Sequence, residues 1–436
     1  MGGKGKQQSI PWKKDGATLT ENAELRKHIT QYYKKLFGKK ETADIHLNSG
    51  VWTRQQLITP EENEELTKPF TLEELDVALK EMRNGTAPGP DGLSIEFYKE
   101  FWPLLRNDIK EMLDELHEGS LDLWRLNYRV IILIPKLKLP NNIKQFRPIC
   151  LLNIIYKIIT KVLTRRLTPV ASRVISKNQT AFIPGKNILD GVVILHEVLH
   201  SLHVKKEKGI ILKLDFEKAY DRVSWSFLEE VLRSRNFSHT WINWIMKAMK
   251  GGRVAIDING ERGEFFKSFR CLRQGDPLSP LLFNFVGDAL SAMLSAARAA
   301  GDIEGVTPDL VEGGLTHLQY ADDTIIFIGN SDLNVRNLKF ILYCFEAMSG
   351  MKINYDKSEI FSVGVELAEQ SRIAAIFGCK IGKFPMTYLG LPVSDSKLSK
   401  AQLSYVGDKV RKRLSMCKCD NLSSGGKSGA HQLLLI

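Results

Sequence analysis

The chain has 436 residues, 43% hydrophobic and 25% charged, which excludes a disordered or fibrous polymer and leaves room for two or three domains. Lys and Arg number 61 against 50 Asp and Glu; a formal charge of +11 favours polyanionic partners, above all nucleic acid. Six scattered cysteines contain no Cys-x2-Cys pair, and Cys417-Lys418-Cys419 is too tight for a zinc knuckle, so reduced thiols are expected.

Residues 1–20 are polar and rich in Gly and Lys, and are expected to be loose. No apolar h-region follows Met1, so a signal peptide is not expected, and Lys6 stands where a myristoylation site needs Ser or Thr. No uninterrupted apolar run reaches the length of a membrane span. The expectation is an intracellular protein, cytoplasmic or nuclear, neither secreted nor membrane-spanning.

A helix is predicted over 21–37, with Leu25, His28, Ile29, Tyr32, Tyr33 and Leu36 on one face. Thr71 and Glu74 form a capping box for a second helix, which ends at Gly85 and the turn-rich stretch 87–92. Residues 93–118 read as helical again. Val130-Ile131-Ile132-Leu133-Ile134 is a buried-strand signal closed by Pro135, and the turn Pro140-Asn141-Asn142 leads to Phe146-Arg147-Pro148-Ile149. Helices are predicted over 153–168 and 187–204. Gly209 opens a second strong strand running to Asp215. Helices follow over 225–234 and 239–250, and Asn259-Gly260 signals a hairpin within 253–268. A helix over 278–300, two strands around a turn at 316–328 and a helix over 332–349 complete the pattern. Strands do not alternate regularly with helices, so the fold class is α+β with an antiparallel sheet, not a doubly wound parallel one.

Asp215 ends an apolar strand, and Asp322-Asp323 lie between Tyr320 and the apolar run Ile325-Ile326-Phe327. Carboxylates beside buried β segments are costly unless paired or bound to metal. A cluster of hard carboxylate oxygens suits Mg²⁺, which keeps waters and takes further oxygens from phosphates. Two such ions about 4 Å apart can hold the attacking and leaving oxygens of an in-line phosphoryl displacement. An isolated Asp-Asp is more often a surface turn; its neighbours must decide. His196-Glu197-Val198-Leu199-His200 spells a zinc-protease pattern, but Lys206 stands where a third His is needed, so a solvated helix face is expected there.

An ordered series of motifs between roughly residues 70 and 395 resembles the reverse transcriptase family, specifically non-LTR (LINE-type) retrotransposons of the kind abundant in plants. Ala87-Pro88-Gly89-Pro90-Asp91-Gly92-Leu93 matches the segment ahead of the fingers. Ile134-Pro135-Lys136 and Arg147-Pro148-Ile149 resemble the two fingers motifs, and Gln179-Thr180-Ala181-Phe182 the segment near the template. Asp215-Phe216-Glu217-Lys218-Ala219-Tyr220-Asp221 resembles the first palm motif. Arg273-Gln274-Gly275-Asp276-Pro277-Leu278-Ser279-Pro280 resembles the loop and helix on the template and nascent pair, with Pro277 or Pro280 suited to the first helical turn. Tyr320-Ala321-Asp322-Asp323 resembles the palm carboxylate motif, Gly350 to Asn354 with Lys357-Ser358 the next one, and Tyr388-Leu389-Gly390-Leu391 the primer-grip hairpin.

The resemblance implies a right-hand polymerase with fingers, a palm built on an antiparallel sheet and a partial thumb. It implies RNA-directed DNA polymerase activity, with Asp215, Asp322 and Asp323 holding two Mg²⁺ or Mn²⁺ ions. Lys136, Arg147, Phe216, Tyr220, Gln274, Gly275 and Lys357 would surround the nucleotide. Arg offers phosphate a planar fork, Lys a point charge. Tyr220 falls where the family has a steric gate against the ribose 2′-OH, and could equally be a core aromatic. Lys357 could protonate the leaving pyrophosphate. Gln179, Arg273, Tyr388, Leu389 and Gly390 would contact template or primer. The implied partners are an RNA template, a DNA primer and deoxynucleoside triphosphates, with no membrane. The expected division is an N-terminal linker or helical extension over 1–69, the reverse transcriptase domain over 70–395 and a shortened basic thumb over 396–436, without an endonuclease or zinc knuckle. The rival reading is an inactive truncated remnant that at most binds nucleic acid.

Overall fold

The apolar run Gly209–Leu214 becomes the middle strand of a five-stranded sheet. The computed structural model describes residues 12–14, 17–19, 22–39 and 44–416. In that sheet the order is Lys380–Ile381, Glu359–Val363, Gly209–Leu214, Asp323–Gly329 and His317–Tyr320. Every pairing is antiparallel except the parallel edge between Glu359–Val363 and Lys380–Ile381. This is the expected antiparallel palm sheet of an α+β fold.

The strands read as continuous apolar runs because both faces are covered. Ile210, Leu212, Ile326, Ile328 and Ile360 point into the large helical core. Their alternate neighbours Ile211, Ile325, Phe327, Phe361 and Val363 point into a second core with Leu195, Leu199 and Tyr388. The period of two along a strand thus sorts one sequence between two cores.

A second sheet runs Phe146–Leu152, Arg129–Pro135, Arg253–Ile258 and Glu261–Arg262, with Phe266–Lys267 also paired to Arg253–Ile258. It forms the fingers. Its Arg129–Pro135 and Phe146–Leu152 strands are antiparallel, with Ile134 opposite Arg147. The hairpin turn at Asn259-Gly260 has positive φ at both residues, 56° and 82°, as its Asn-Gly sequence favours.

The predicted helices appear as Asn22–Leu36, Leu72–Glu81, Ile95–Glu100 with Trp102–Glu118, Ile154–Val174, Ile188–Lys205, Trp225–Ser234, His239–Met249, Ser279–Ala299 and Asp332–Ser349. The Thr71 capping box is present, with Glu74 returning to the Thr71 amide. Trp12–Lys14 pairs with Ala17–Leu19 inside the stretch expected to be loose. The core crosses residue 70 without a break: Leu47, Trp52, Ile58 and Leu66 share it with Phe70 and Leu75. Leu25, Ile29, Tyr33 and Phe37 pack beneath the fingers sheet. Among the described residues one helix, Ser279–Ala299, is long and apolar enough to cross a membrane, and most of it is buried at the centre of the fold. Cys417, Cys419 and the turn-rich stretch 420–427 lie outside the described residues.

Candidate active site

The register explains why two distant acidic sites meet. Thr324 pairs with Leu214, so one further step sets Asp323 opposite Asp215. Both acids then lie on the sheet face of Ile211 and Phe327. Asp215 is anchored from a third segment: its amide donates to Ser358 Oγ at 3.1 Å, and its carbonyl accepts from the Asn354 amide at 2.7 Å. The Tyr320-Ala321-Asp322-Asp323 turn closes the neighbouring hairpin, with Ala321 in the left-handed region at φ 55°.

Burial raises the Asp215 carboxyl above its ordinary value; Lys357 opposes this and Asp322 adds to it. Asp322 is likewise raised by loss of solvent, against its own backbone hydrogen bond and the nearby Arg147 and Lys136. Asp323 is raised by burial and then by Asp322, with Lys213 opposing. Asp215 is half-buried, and Asp322 and Asp323 are exposed at the end of a packed sheet, so only part of their hydration is lost.

A cavity of about 830 Å³ gathers Asp215 and Asp322 with Lys136, Arg147, Phe216, Tyr220, Gln274 and Lys357. Lys136 and Arg147 reach it as exposed cations from the fingers sheet. Tyr220 stacks on Phe283 with ring centroids 4.4 Å apart and planes 5° apart, so its ring is fixed at the cavity wall. The Phe216 ring sits in the core against Phe345, leaving its backbone to face the site. Gly275 has φ 109°, and a Cβ there would meet the Cys150 carbonyl at 3.1 Å. A side chain would therefore be both strained and crowded.

Glu217 is paired with Arg222 at 2.8 Å. Asp221 is buried, and burial pushes its carboxyl up to about 6 against the pull of Lys218, Arg129 and Arg222. In the zinc-protease look-alike, Glu197 and His200 are exposed. Among the described residues no three His, Cys, Asp or Glu side chains form a ready metal cage, there or at the palm.

Three residues expected to contact template or primer have buried side chains. Gln179 has no exposed surface; its Oε1 accepts from the Ala181 and Ala321 amides, both at 3.0 Å. Arg273 is 1% exposed, and its guanidinium donates to the Ala248 and Met249 carbonyls at 2.9 and 2.8 Å and to the Tyr156 hydroxyl. Tyr388 lies in the second core, where burial and Asp323 raise its hydroxyl pKa. These side chains hold the site's framework. Leu389 and Gly390 form the two-residue turn between Met386–Tyr388 and Leu391–Val393, with φ 49° and 83°, and are half-exposed.

Lys213 was missed by motif reading, yet it bears on both Asp215 and Asp323. A lysine inside an otherwise apolar buried strand was the available signal. Phe283 was also missed, since nothing in a core helix pattern distinguishes the aromatic that supports Tyr220.

A palm sheet carrying paired acids at a strand end, roofed by a basic fingers hairpin, defines a nucleotidyl-transfer fold. Residues 134–393 match the family model described as reverse transcriptase (RNA-dependent DNA polymerase), and the chain belongs to that family. It is 29% identical over 357 residues to a transposon TX1 149 kDa protein of Xenopus laevis, covering 82% of this chain and 27% of that protein. It is 26% identical over 295 residues to the Pol polyprotein of the retrotransposable element R2DM of Drosophila melanogaster, covering 68% and 26%. An R2 Pol polyprotein of Popillia japonica is 26% identical over 299 residues, covering 68% and 40%. The chain spans about a quarter of the length of the first two relatives.

Proposed function

We propose that this chain is a polymerase core that extends a DNA primer on an RNA template. The observation that carries the reading is the convergence of Asp215 and Asp322, with Asp323 beside them, on a cavity that also holds Lys136, Arg147, Tyr220 and Lys357. The family generally works with divalent metals, and the donor set here fits Mg²⁺ or Mn²⁺: three hard carboxylates whose pKa values are raised, first of all by burial. A preformed protein cage is not required, because Mg²⁺ keeps waters and takes substrate phosphate oxygens. When bound, the metals would lower the barrier by neutralising charge on the attacking and leaving oxygens.

The remaining work falls to the chain. Lys136 and Arg147 would bind the triphosphate as point charge and fork. Tyr220, braced by Phe283, would exclude a ribose 2′-OH, while the Phe216 backbone and the Gln274-Gly275 loop would wall the base pair. Lys357 stands near enough to Asp215 to influence its titration, and would supply a proton to the departing pyrophosphate. The Leu389-Gly390 turn would lie along the primer.

The test is primer extension on an RNA template, comparing the purified chain with Asp322→Asn. Magnesium-dependent extension by the unsubstituted chain alone is expected. Nucleic-acid binding without extension above the variant would reduce the reading to a binding remnant.

A further inference from the structure

A second large cavity lies behind the catalytic one. Its volume is about 800 Å³, and its lining has no residue in common with the catalytic cavity. The two are joined by chain: residues 215–221 line the first, and Ser224 and Trp225 line the second. The return is similar, from Met348 and Gly350 in the second to Lys352 and Asn354 in the first.

The chemistry of this cavity is unlike that of a packing defect. Its rim carries the exposed cations Lys39, Lys250, Arg253 and Lys267. No carboxylate lines it among the described residues, although Lys250 reaches out to Glu229 at 3.0 Å. Trp124 and Phe269 stand at its mouth, 42% and 50% exposed, where large aromatic side chains are costly to leave in water. Trp225 and Met348 form an apolar floor. Flat aromatic faces inside a basic rim are what a single-stranded polynucleotide needs: bases stack and phosphates meet cations. A double helix would present no free base face to such a pocket. An acidic peptide would use the rim but would not stack on the aromatic rings.

We propose that this cavity is a second binding site, for single-stranded RNA. The choice of RNA over DNA rests on the polymerase reading above, in which the unpaired polymer is the template; the existence of the site does not. The Trp124 and Phe269 faces take bases, while Lys39, Arg253 and Lys267 take the backbone.

The test is photo-crosslinking of a short 4-thiouridine oligoribonucleotide to the full chain, with excess primer–template duplex present to fill the catalytic cleft. Crosslinks to the segments carrying Trp124 and Phe269 are expected to persist under that competition. Trp124→Ala or Phe269→Ala should each weaken RNA binding by about tenfold, the effect of losing one stacked base. Lys39→Gln with Lys267→Gln should lower the slope of log affinity against log salt by about 1.4, the value for two phosphates of a single strand. Phe269 is exposed enough that its variant tests the site even where Trp124→Ala disturbs the fold. Crosslinks that the duplex removes, or that survive both aromatic substitutions, would overturn the proposal. So would displacement by polyglutamate as effective as by RNA. Equal capture of an oligothymidylate would overturn the assignment to RNA. Asp322→Asn must leave these crosslinks intact, so failure of the polymerase reading is seen separately, in primer extension.

Discussion

Gln179 is expected to govern catalysis without touching substrate. Its Oε1 accepts two buried amides, one of them from Ala321 in the catalytic turn. Gln179→Ala leaves both donors without a partner, at about 1–3 kcal/mol each. Ala321 also holds a left-handed conformation that costs a non-glycine residue about 1–2 kcal/mol. Without Gln179 the hairpin pairing alone must offset that cost, and the turn carrying Asp322 and Asp323 loosens. A displacement of about 1 Å in a catalytic group can cost about 10²-fold in rate. Single-nucleotide extension by Gln179→Ala should therefore show kcat reduced by about 10²-fold, with KM for the nucleotide little changed. Gln179→Glu supplies the decisive control. The Nε2 atom has no hydrogen-bond partner, so a carboxyl at this position sacrifices no bond and keeps the acceptor. It should recover part of the lost rate, and more as pH falls, because the protonated carboxyl accepts without carrying a buried charge. Equal losses in both variants, or wild-type kcat in Gln179→Ala, would refute a positioning role.

Other expectations follow from the same site. Raised carboxyl pKa values mean that the folded state binds these protons more tightly than the unfolded chain, so stability falls as pH rises through the raised values. Asp322→Asn should thus raise the melting temperature in EDTA at neutral pH while abolishing extension; a lower melting temperature would contradict the electrostatic account. Asp221, pushed up to about 6, should make the wild-type urea midpoint decline between about pH 4 and 6 by the same sign, and Asp221→Asn should flatten that decline. Tyr220→Ala should raise ribonucleotide incorporation relative to deoxynucleotide by about tenfold or more, read from paired steady-state extensions, since the ring braced by Phe283 is the wall being removed.

Motif order and local chemistry carried most of the fold. The capping box at Thr71, the Asn259-Gly260 turn and the helix over Asp332–Ser349 depend on neighbours within a few positions. What stayed hidden depends on distant partners. The Phe146–Leu152 strand was not recognised because Pro148 breaks its pattern; it is an edge strand, where a missing amide is tolerated. Glu359–Val363 is one short strand completed by pairing with Gly209–Leu214. The acids were legible because charge at the end of an apolar strand is costly and therefore conspicuous. The burial of Gln179 and Arg273 was not legible for the opposite reason. A polar side chain inside a motif looks like a ligand contact, and nothing local distinguishes it from one spent on buried carbonyls and amides.

That distinction bears on how the site holds its charge. Asp215, Asp322 and Asp323 close no ion pair of their own among the described residues: Lys213 leans toward Glu359 at 3.8 Å, and Lys357, Lys136 and Arg147 act on them across the cavity. The rigid parts are neutral or already satisfied, with Gln179 on the turn, Ser358 on Asp215 and Arg273 on three acceptors. Such a framework leaves the charge of the carboxylates only partly compensated, which costs stability in the free protein. The same arrangement leaves that charge available to divalent cations and a triphosphate, whose binding then relieves the repulsion. A permanent ion pair at Asp322 would give a more stable protein and a poorer metal site.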